Sequence, residues 1–294
     1  MKILNFGSLN IDITYHVPHF VRPGETLSSN SRMTACGGKG LNQSIAVARS
    51  GAPVWHAGAV GKADGAILLD ALKEAGVNTD HVRVREDVPS GTAFIQVNRE
   101  AENCIVLDGG ANQAITKETI DEVLSHFESG DWLVLQNEIS ELSYLIEQAH
   151  AKGMKVFLNP SPITPSVFDL PLSFVDCFLL NEIEANELTN GADDVIAELE
   201  HRYPGAMFVI TYGSKGCICV KDGTCIRQEA FPAEAVDTVG AGDTFTGFLI
   251  GSLAMGTELP EALRIASKAA AISVTRKGAS TSIPSRSEVL NALA

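Results

Sequence analysis

From about residue 117 the chain alternates short apolar runs with longer amphipathic stretches, and few folds accept that rhythm. The spacing predicts a helix over Thr119 to Phe127, a strand over Trp132 to Gln136, a helix over Leu142 to Ala151 and a strand over Lys155 to Leu158. A strand at Cys177 to Leu180 precedes helices near 182–189 and 193–202, and strands follow at Phe208 to Tyr212 and Cys217 to Lys221. Helices near 242–255, 260–275 and 286–293 close the chain. Consecutive parallel strands need a crossover, and a helix supplies it, so this alternation implies a mostly parallel sheet covered on both faces. Right-handed crossovers make the sheet doubly wound, a three-layer αβα, Rossmann-like α/β fold.

The earlier part starts in the same style. Ile3 to Gly7 reads as a buried strand that runs out into polar Ser8, Asn10 and Asp12. A helix from Leu41 to Arg49 stops at Gly51, a strand follows at Val54 to Val60, and a helix over Ile67 to Glu74 is closed by Gly76. Two stretches break the rhythm. Residues 26–34 are polar and tolerate extended backbone, and 92–98 with 104–107 read as a hairpin turning at Arg99, Glu100, Ala101 and Glu102. Together they predict a small β-sheet lid, built from about 11–35 and 91–108 and inserted in a single domain spanning 1–294.

Charge narrows the function classes. Twenty-two basic against 36 acidic residues leave a net charge of −14, and a chain so acidic repels a phosphate backbone, which argues against nucleic-acid partners. No apolar run approaches the ~18 residues of a membrane span; the best, Phe245 to Met255, is interrupted by Thr246, Gly247, Gly251 and Ser252. The start lacks a signal peptide's long apolar region. The six cysteines form no C-x-x-C pair and are expected as reduced, buried thiols of a cytoplasmic protein.

In an open α/β sheet, ligands bind beyond the carboxyl ends of the strands, so the polar clusters that follow strands are the ones to question. In Asp237-Thr238-Val239-Gly240-Ala241-Gly242-Asp243-Thr244 the small residues at 240–242 let a ligand approach the backbone, and an apolar helix begins at once. Free amides at a helix start attract anions, phosphate above all. A carboxylate at Asp243 then sits beside an anion site, a poor place unless it handles a proton, as a general base taking the proton of an attacking hydroxyl would. A Gly-rich turn in which Asp243 only caps fits the stretch equally well. Gly37-Gly38-Lys39-Gly40-Leu41-Asn42 opens another helix start, with Lys39 and Asn42 on one face; this is not a Walker A loop, and alone it reads as a structural turn. Asn181 and Glu184 could hold the hydration shell of Mg2+ or nucleotide phosphates, or simply begin a solvated helix. Thr211-Tyr212-Gly213-Ser214-Lys215-Gly216 could line a nucleotide site or be a plain hairpin connection. Asn10, Asp12 and Glu138 follow strand ends and could bind hydroxyls.

Taken together, these runs identify a resemblance. Over nearly its whole length the chain resembles the ribokinase-like (PfkB) family of carbohydrate kinases. It carries that family's two signatures in order, Gly37 to Ser44 with Gly51 and Gly61, and Asp237 through Gly247, with the N-x-x-E motif (Asn181, Glu184) and the G-S-x-G turn (Gly213 to Gly216) between them. Arg22-Pro23-Gly24-Glu25-Thr26, Gly109-Gly110-Ala111-Asn112 and Thr275-Arg276-Lys277-Gly278-Ala279 resemble the family's ribose-phosphorylating branch. The resemblance implies a sugar-binding set of Asn10, Asp12, Gly38, Lys39, Asn42, Glu138 and Asp243, with Asp243 as base and the backbone of Gly240, Ala241 and Gly242 as anion hole. It implies ATP held at Asn181, Glu184, Thr211, Gly213, Ser214, Gly216, Gly242 and Ser267, with Mg2+. It further implies a monovalent-cation site, usually K+, at Asp237, Val239, Ser273, Arg276, Gly278 and Ser282, and a homodimer paired through the lid. The segment Gly61 to Asp64 is one residue shorter than the family pattern, and Phe248 stands where that pattern has a small residue.

The activity this resemblance implies is ATP-dependent phosphorylation of a pentose primary hydroxyl, D-ribose to ribose 5-phosphate. The rivals are a kinase of another sugar, a sugar acid or a nucleoside, and a non-catalytic sugar sensor. A dinucleotide oxidoreductase ranks last, because no G-x-G-x-x-G follows the first strand.

Overall fold

The computed structural model describes residues 1–100 and 102–294. The chain opens with β1 (Ile3–Phe6), then β2 (Asn10–His16) and β3 (Ser31–Gly37), α1 (Lys39–Arg49), β4 (Trp55–Gly61), α2 (Ala66–Glu74) and β5 (Asn78–Arg85). The hairpin β6 (Gly91–Val97) and β7 (Asn103–Asp108) follows, then α3 (Lys117–Leu124), β8 (Trp132–Gln136), α4 (Leu142–Ala151), β9 (Lys155–Asn159), β10 (Cys177–Asn181) and α5 (Glu182–Leu188). The rest is α6 (Val195–Arg202), β11 (Met207–Thr211), β12 (Cys217–Lys221), β13 (Thr224–Gln228), α7 (Ala241–Ala254), α8 (Leu259–Ser273) and α9 (Arg286–Leu293).

Nine strands form the main sheet in the order β13-β12-β11-β10-β9-β8-β1-β4-β5. Pairing is parallel from β11 through to β5, and β12 alone is reversed, pairing antiparallel with both β11 and β13. This is the expected doubly wound α/β architecture. Strand order reverses at β1: the chain steps outward through β4 and β5, then returns to β1's other edge with β8. That reversal opens a crevice at the carboxyl ends of β1 and β8.

Side chains alternate across the sheet and divide the core in two. Leu4, Phe6, Leu133, Leu135, Val156, Leu158, Phe178 and Phe208 meet α3, α4, α5 and α6. Ile3, Val134, Phe157, Leu179 and Val209 face the other way, onto α1, α2, α7, α8 and α9. Helix α7 is apolar nearly all round because it is buried between α1 and α8. Phe248 is wholly buried in that second core. The shortened segment is tied off by Asp64, whose carboxylate accepts from the hydroxyl (2.6 Å) and amide (3.1 Å) of Ser90 at the foot of β6.

The two segments outside the rhythm form a second sheet, ordered β3-β2-β6-β7. The 92–98/104–107 hairpin is present as antiparallel β6 and β7; of its expected turn, Ala101 lies outside the described residues. Two edge strands of the main sheet, β5 and β13, are additional to the expected elements. The cysteines need a correction. Cys177, Cys217 and Cys219 are buried and Cys36 is half-buried, but Cys104 and Cys225 are exposed, because β7 and β13 are edge strands with a solvated face.

Candidate active site

Asp243 is the third residue of α7. Gly240 caps that helix with φ +75°, a left-handed conformation that favours glycine, and an added Cβ there would press on Ala279. Gly242 differs in kind: a Cβ there would meet nothing, because it borders open space. The amides of Gly242 and Asp243 have no partner inside the helix and border that space as donors, whereas the Ala241 amide, expected in the anion hole, donates to the Thr238 carbonyl at 3.3 Å and lies outside the small cavity.

The space is a cavity of about 220 Å³ lined by Lys39, Asn181, Glu184, Thr211, Gly240, Gly242 and Asp243, with Asn159 and Phe245 among its other walls. Thr211, Gly242 and Phe245 also line a second cavity of about 560 Å³, so the two adjoin. The larger one is mainly apolar. Its walls include Gly213, Ser214, Gly216, Ala241 and Ser267, which sequence reading predicted, and Phe231 and Val274, which it did not. Lys268 sits 4.8 Å from the Phe231 ring centroid. Cys217 lies against the Ser267 hydroxyl at 3.8 Å, and burial pushes its thiol up to about 11. A volume of this order with an apolar lining suits a planar base, and the smaller, polar chamber suits a phosphate chain.

Asp243 is 8% exposed, and both carboxylate oxygens are held: Asn42 donates to Oδ2 at 3.0 Å and Gln43 to Oδ1 at 2.9 Å. Both donors lie on α1, which therefore positions the carboxylate of α7. The Asn42 Oδ1 is buried and has no partner among the described residues. Burial works against the charge of Lys39, but the carboxylates of Asp243, Glu138 and Glu184 outweigh it and raise its pKa. The cation is thus secured between three acids.

The remaining predicted sugar residues do not line the small cavity; they adjoin it through the Gly-rich loop. Glu138, just beyond β8, accepts from the Lys39 amide (3.1 Å) and from the Ser8 hydroxyl. Burial raises the pKa of Glu138 despite the help of Lys39. Asp12 lies on β2, and burial together with the Glu138 charge pushes it up to about 6. Gly37 leaves the room Asp12 occupies, since a Cβ there would strike the carboxylate. Gly38 turns at φ +92° to admit the loop beside Ser8. Asn10 is oriented by Asn112, which donates to its Oδ1 at 2.7 Å and also clamps Leu9.

Asn181 and Glu184 do both things that the sequence left open. They form a reciprocal capping box on α5, 2.9 and 3.0 Å, and they also line the small cavity. Asp237 accepts from the amides of Val239 (3.0 Å) and Gly278 (2.9 Å), drawing together the two loops of the expected cation site. The Arg276 side chain turns away to Glu288 at 2.7 Å, so that only its carbonyl is available there. Ser273 and Ser282 donate their hydroxyl hydrogens to Ala270 and Ala279 within the same region. Among the described residues no three His, Cys, Asp or Glu side chains cluster as metal ligands.

Sequence reading missed Ser8, Gln43, Asn112 and Gln136. Gln43 and Asn112 lie within the quoted runs Gly37 to Ser44 and Gly109 to Asn112 without being singled out there, and the signal of Ser8 and Gln136 was polarity at the end of an apolar run, as in Trp132-Leu133-Val134-Leu135-Gln136.

The pfkB family carbohydrate kinase model matches residues 1–286. A ribokinase of Haemophilus influenzae is 37% identical over 98% of this chain and 96% of its own. The ribokinase of Cryptococcus neoformans, solved in complex with ADP, superposes with a TM-score of 0.87 at 33% identity, covering 99% of both chains. The Arabidopsis thaliana ribokinase, solved with ribose and ATP, superposes with a TM-score of 0.88 at 29% identity over 99% of this chain and 98% of that one. The chain belongs to the pfkB family of carbohydrate kinases, phosphotransferases that act on an alcohol group.

Proposed function

We propose that this protein uses ATP to phosphorylate the primary hydroxyl of D-ribose, giving ribose 5-phosphate. The observation that carries the reading is the Asp243 carboxylate beside the open amides of α7, in a chamber that it shares with Lys39 and that adjoins an apolar cavity of nucleotide-base size. The relatives named above are ribokinases, which supports ribose as acceptor and ATP as donor. Asp243 takes the proton of the attacking hydroxyl, while the amides of Gly242 and Asp243 receive the charge that develops on the transferred group. Asp12, Asn10 and Glu138 bind sugar hydroxyls with Lys39, and the unpaired Asn42 Oδ1 accepts one more. Thr211, Gly213, Ser214, Gly216 and Ser267 hold the adenosine part.

Magnesium would arrive with the nucleotide, neutralising phosphate charge, and Asn181 and Glu184, which line the small chamber, would hold its hydration shell. Asp237 with the carbonyls around it offers the hard oxygen donors that suit a potassium ion. We regard residues 1–294 as one domain carrying its lid, in a cytoplasmic enzyme; among the described residues no helix is long and apolar enough to cross a membrane. A second copy covers the lid in this reading.

Asp243→Asn should abolish turnover and leave ribose and ATP binding measurable by calorimetry; near-normal turnover would sink the assignment of the base. Coupled ADP release on ribose, fructose, 2-deoxyribose and adenosine, with and without potassium, tests the acceptor. A higher kcat/KM on any acceptor other than ribose overturns that part.

A further inference from the structure

On the face of the main sheet under α1 and α7, the centre is polar. Asn5 of β1 and Gln136 of β8 are wholly buried there, and Gln43 of α1 is 1% exposed. They form a chain. Asn5 Nδ2 donates to the Gly40 carbonyl at 3.0 Å. Gln136 Nε2 donates both to Asn5 Oδ1 at 3.1 Å and to Gln43 Oε1 at 2.8 Å. Gln43 Nε2 then donates to Asp243 Oδ1.

Each amide could in principle point either way, but the ends allow only one direction. A backbone carbonyl only accepts, so Asn5 must offer it the amino group and turn its own oxygen toward Gln136. Gln136 must then give both hydrogens, one to Asn5 and one to Gln43. That occupies the Gln43 oxygen and leaves its amino group for the carboxylate, which also only accepts. Gln136 Oε1 is left buried without a partner, against Gly7, where a Cβ would collide with it. A buried unsatisfied carbonyl costs stability, and an apolar side chain at 136 would avoid that cost. The chain tolerates that cost in the strand beside the reversal of the sheet.

We propose that Gln43 is a positioning residue for the base, and that Gln136, anchored by Asn5, holds it with its N–H toward Asp243. The proposal rests on Asp243 being the base. Without the relay Gln43 is free to turn, and the carboxylate, kept only by Asn42, swings off the line of the attacking hydroxyl. Misplacement of a catalytic group by an ångström can cost roughly a hundredfold in rate without loss of substrate binding.

The test is a double-mutant cycle of Gln43→Met and Gln136→Met on the full chain, with kcat and both KM values measured. Gln43→Met should lower kcat about tenfold or more while KM for sugar and for ATP stays within about threefold. Gln136→Met, which touches neither Asp243 nor any residue of the sugar set, should lower kcat about fivefold with the same unchanged KM values. The double variant should be no slower than Gln43→Met by more than about twofold, since both break one chain. Singles that leave kcat within twofold, losses carried by KM, or effects that multiply in the double variant overturn the proposal. If Gln43→Met does not fold, Gln136→Met decides alone, and an unchanged kcat overturns it. Asp243→Asn in parallel separates the two readings: near-normal activity there refutes the base itself rather than its support.

Discussion

Asp12 shows how a residue proposed to bind the sugar can burden the fold that carries it. Its carboxyl is pushed up to about 6 from 3.8, first by burial and then by the neighbouring Glu138. A carboxyl with a raised folded-state pKa favours the folded state fully below its unfolded pKa, and that advantage is lost as pH rises through 6. At neutral pH the charge therefore destabilises the protein by on the order of 3 kcal/mol. Asp12→Asn should melt a few degrees higher than the parent at pH 8 and together with it at pH 4, followed by thermal denaturation. The same substitution should raise the sugar KM at least tenfold, and in the parent that KM should climb as pH falls below about 6. Equal melting at both pH values would remove the electrostatic account. Residues like Asp12 and Asp243 were legible in the sequence because they stand in motif-like runs. Gln43 and Gln136 were not: Gln43 lies within the Gly37 to Ser44 run and Gln136 ends an apolar strand, and neither place reveals which side chain from another element it will meet.

At the level of elements, the site depends on how closely α7 approaches α1. Gly247 permits that approach: a Cβ there would press on the Val47 amide (2.7 Å) and the Gln43 carbonyl (2.8 Å). Gly251 does the same against Ser50 one turn later. Gly247→Ala should cost about 1–3 kcal/mol of stability by overpacking. It should also lower kcat, since the helix bearing Asn42 and Gln43 is forced away from the one bearing Asp243. Calorimetric melting and steady-state kinetics read the two losses, and an unchanged kcat with a lowered melting point would mean that the helices part without disturbing the carboxylate. Most elements were readable because buried parallel strands and their crossover helices write strong apolar patterns. The two that escaped are edge strands. β5 reads Asn78-Thr79-Asp80-His81-Val82-Arg83-Val84-Arg85, too polar to announce itself. β13 is joined to β12 by Asp222 and Gly223, both at positive φ, an Asp-Gly hairpin signal that was present in the sequence.

For the whole molecule, the lid poses the question of what covers it. Met33, Phe94, Ile105, Val106 and Leu107 are all exposed on its strands, Val106 at 63%. So many large apolar side chains in one small sheet mark an interaction surface. Leu107→Lys with Ile105→Lys should convert the protein to a monomer in sedimentation analysis; if the parent already sediments as a monomer, no second copy covers the lid. The lid as a separate β-unit was legible from its broken rhythm, whereas its strand order depends on long-range pairing that no local pattern encodes. The path of the chain has a further consequence. β2 leaves the centre of the main sheet directly, so that Asp12 travels with the lid while Lys39 and Asp243 stay with the main body. Any swing of the cover changes the gap between Asp12 and the pair Lys39 and Asp243. On the proposed assignment of Asp12 to the sugar, the product would leave by relaxing the ribbon that first seized the acceptor, and the speed of that hinge would set a ceiling on turnover.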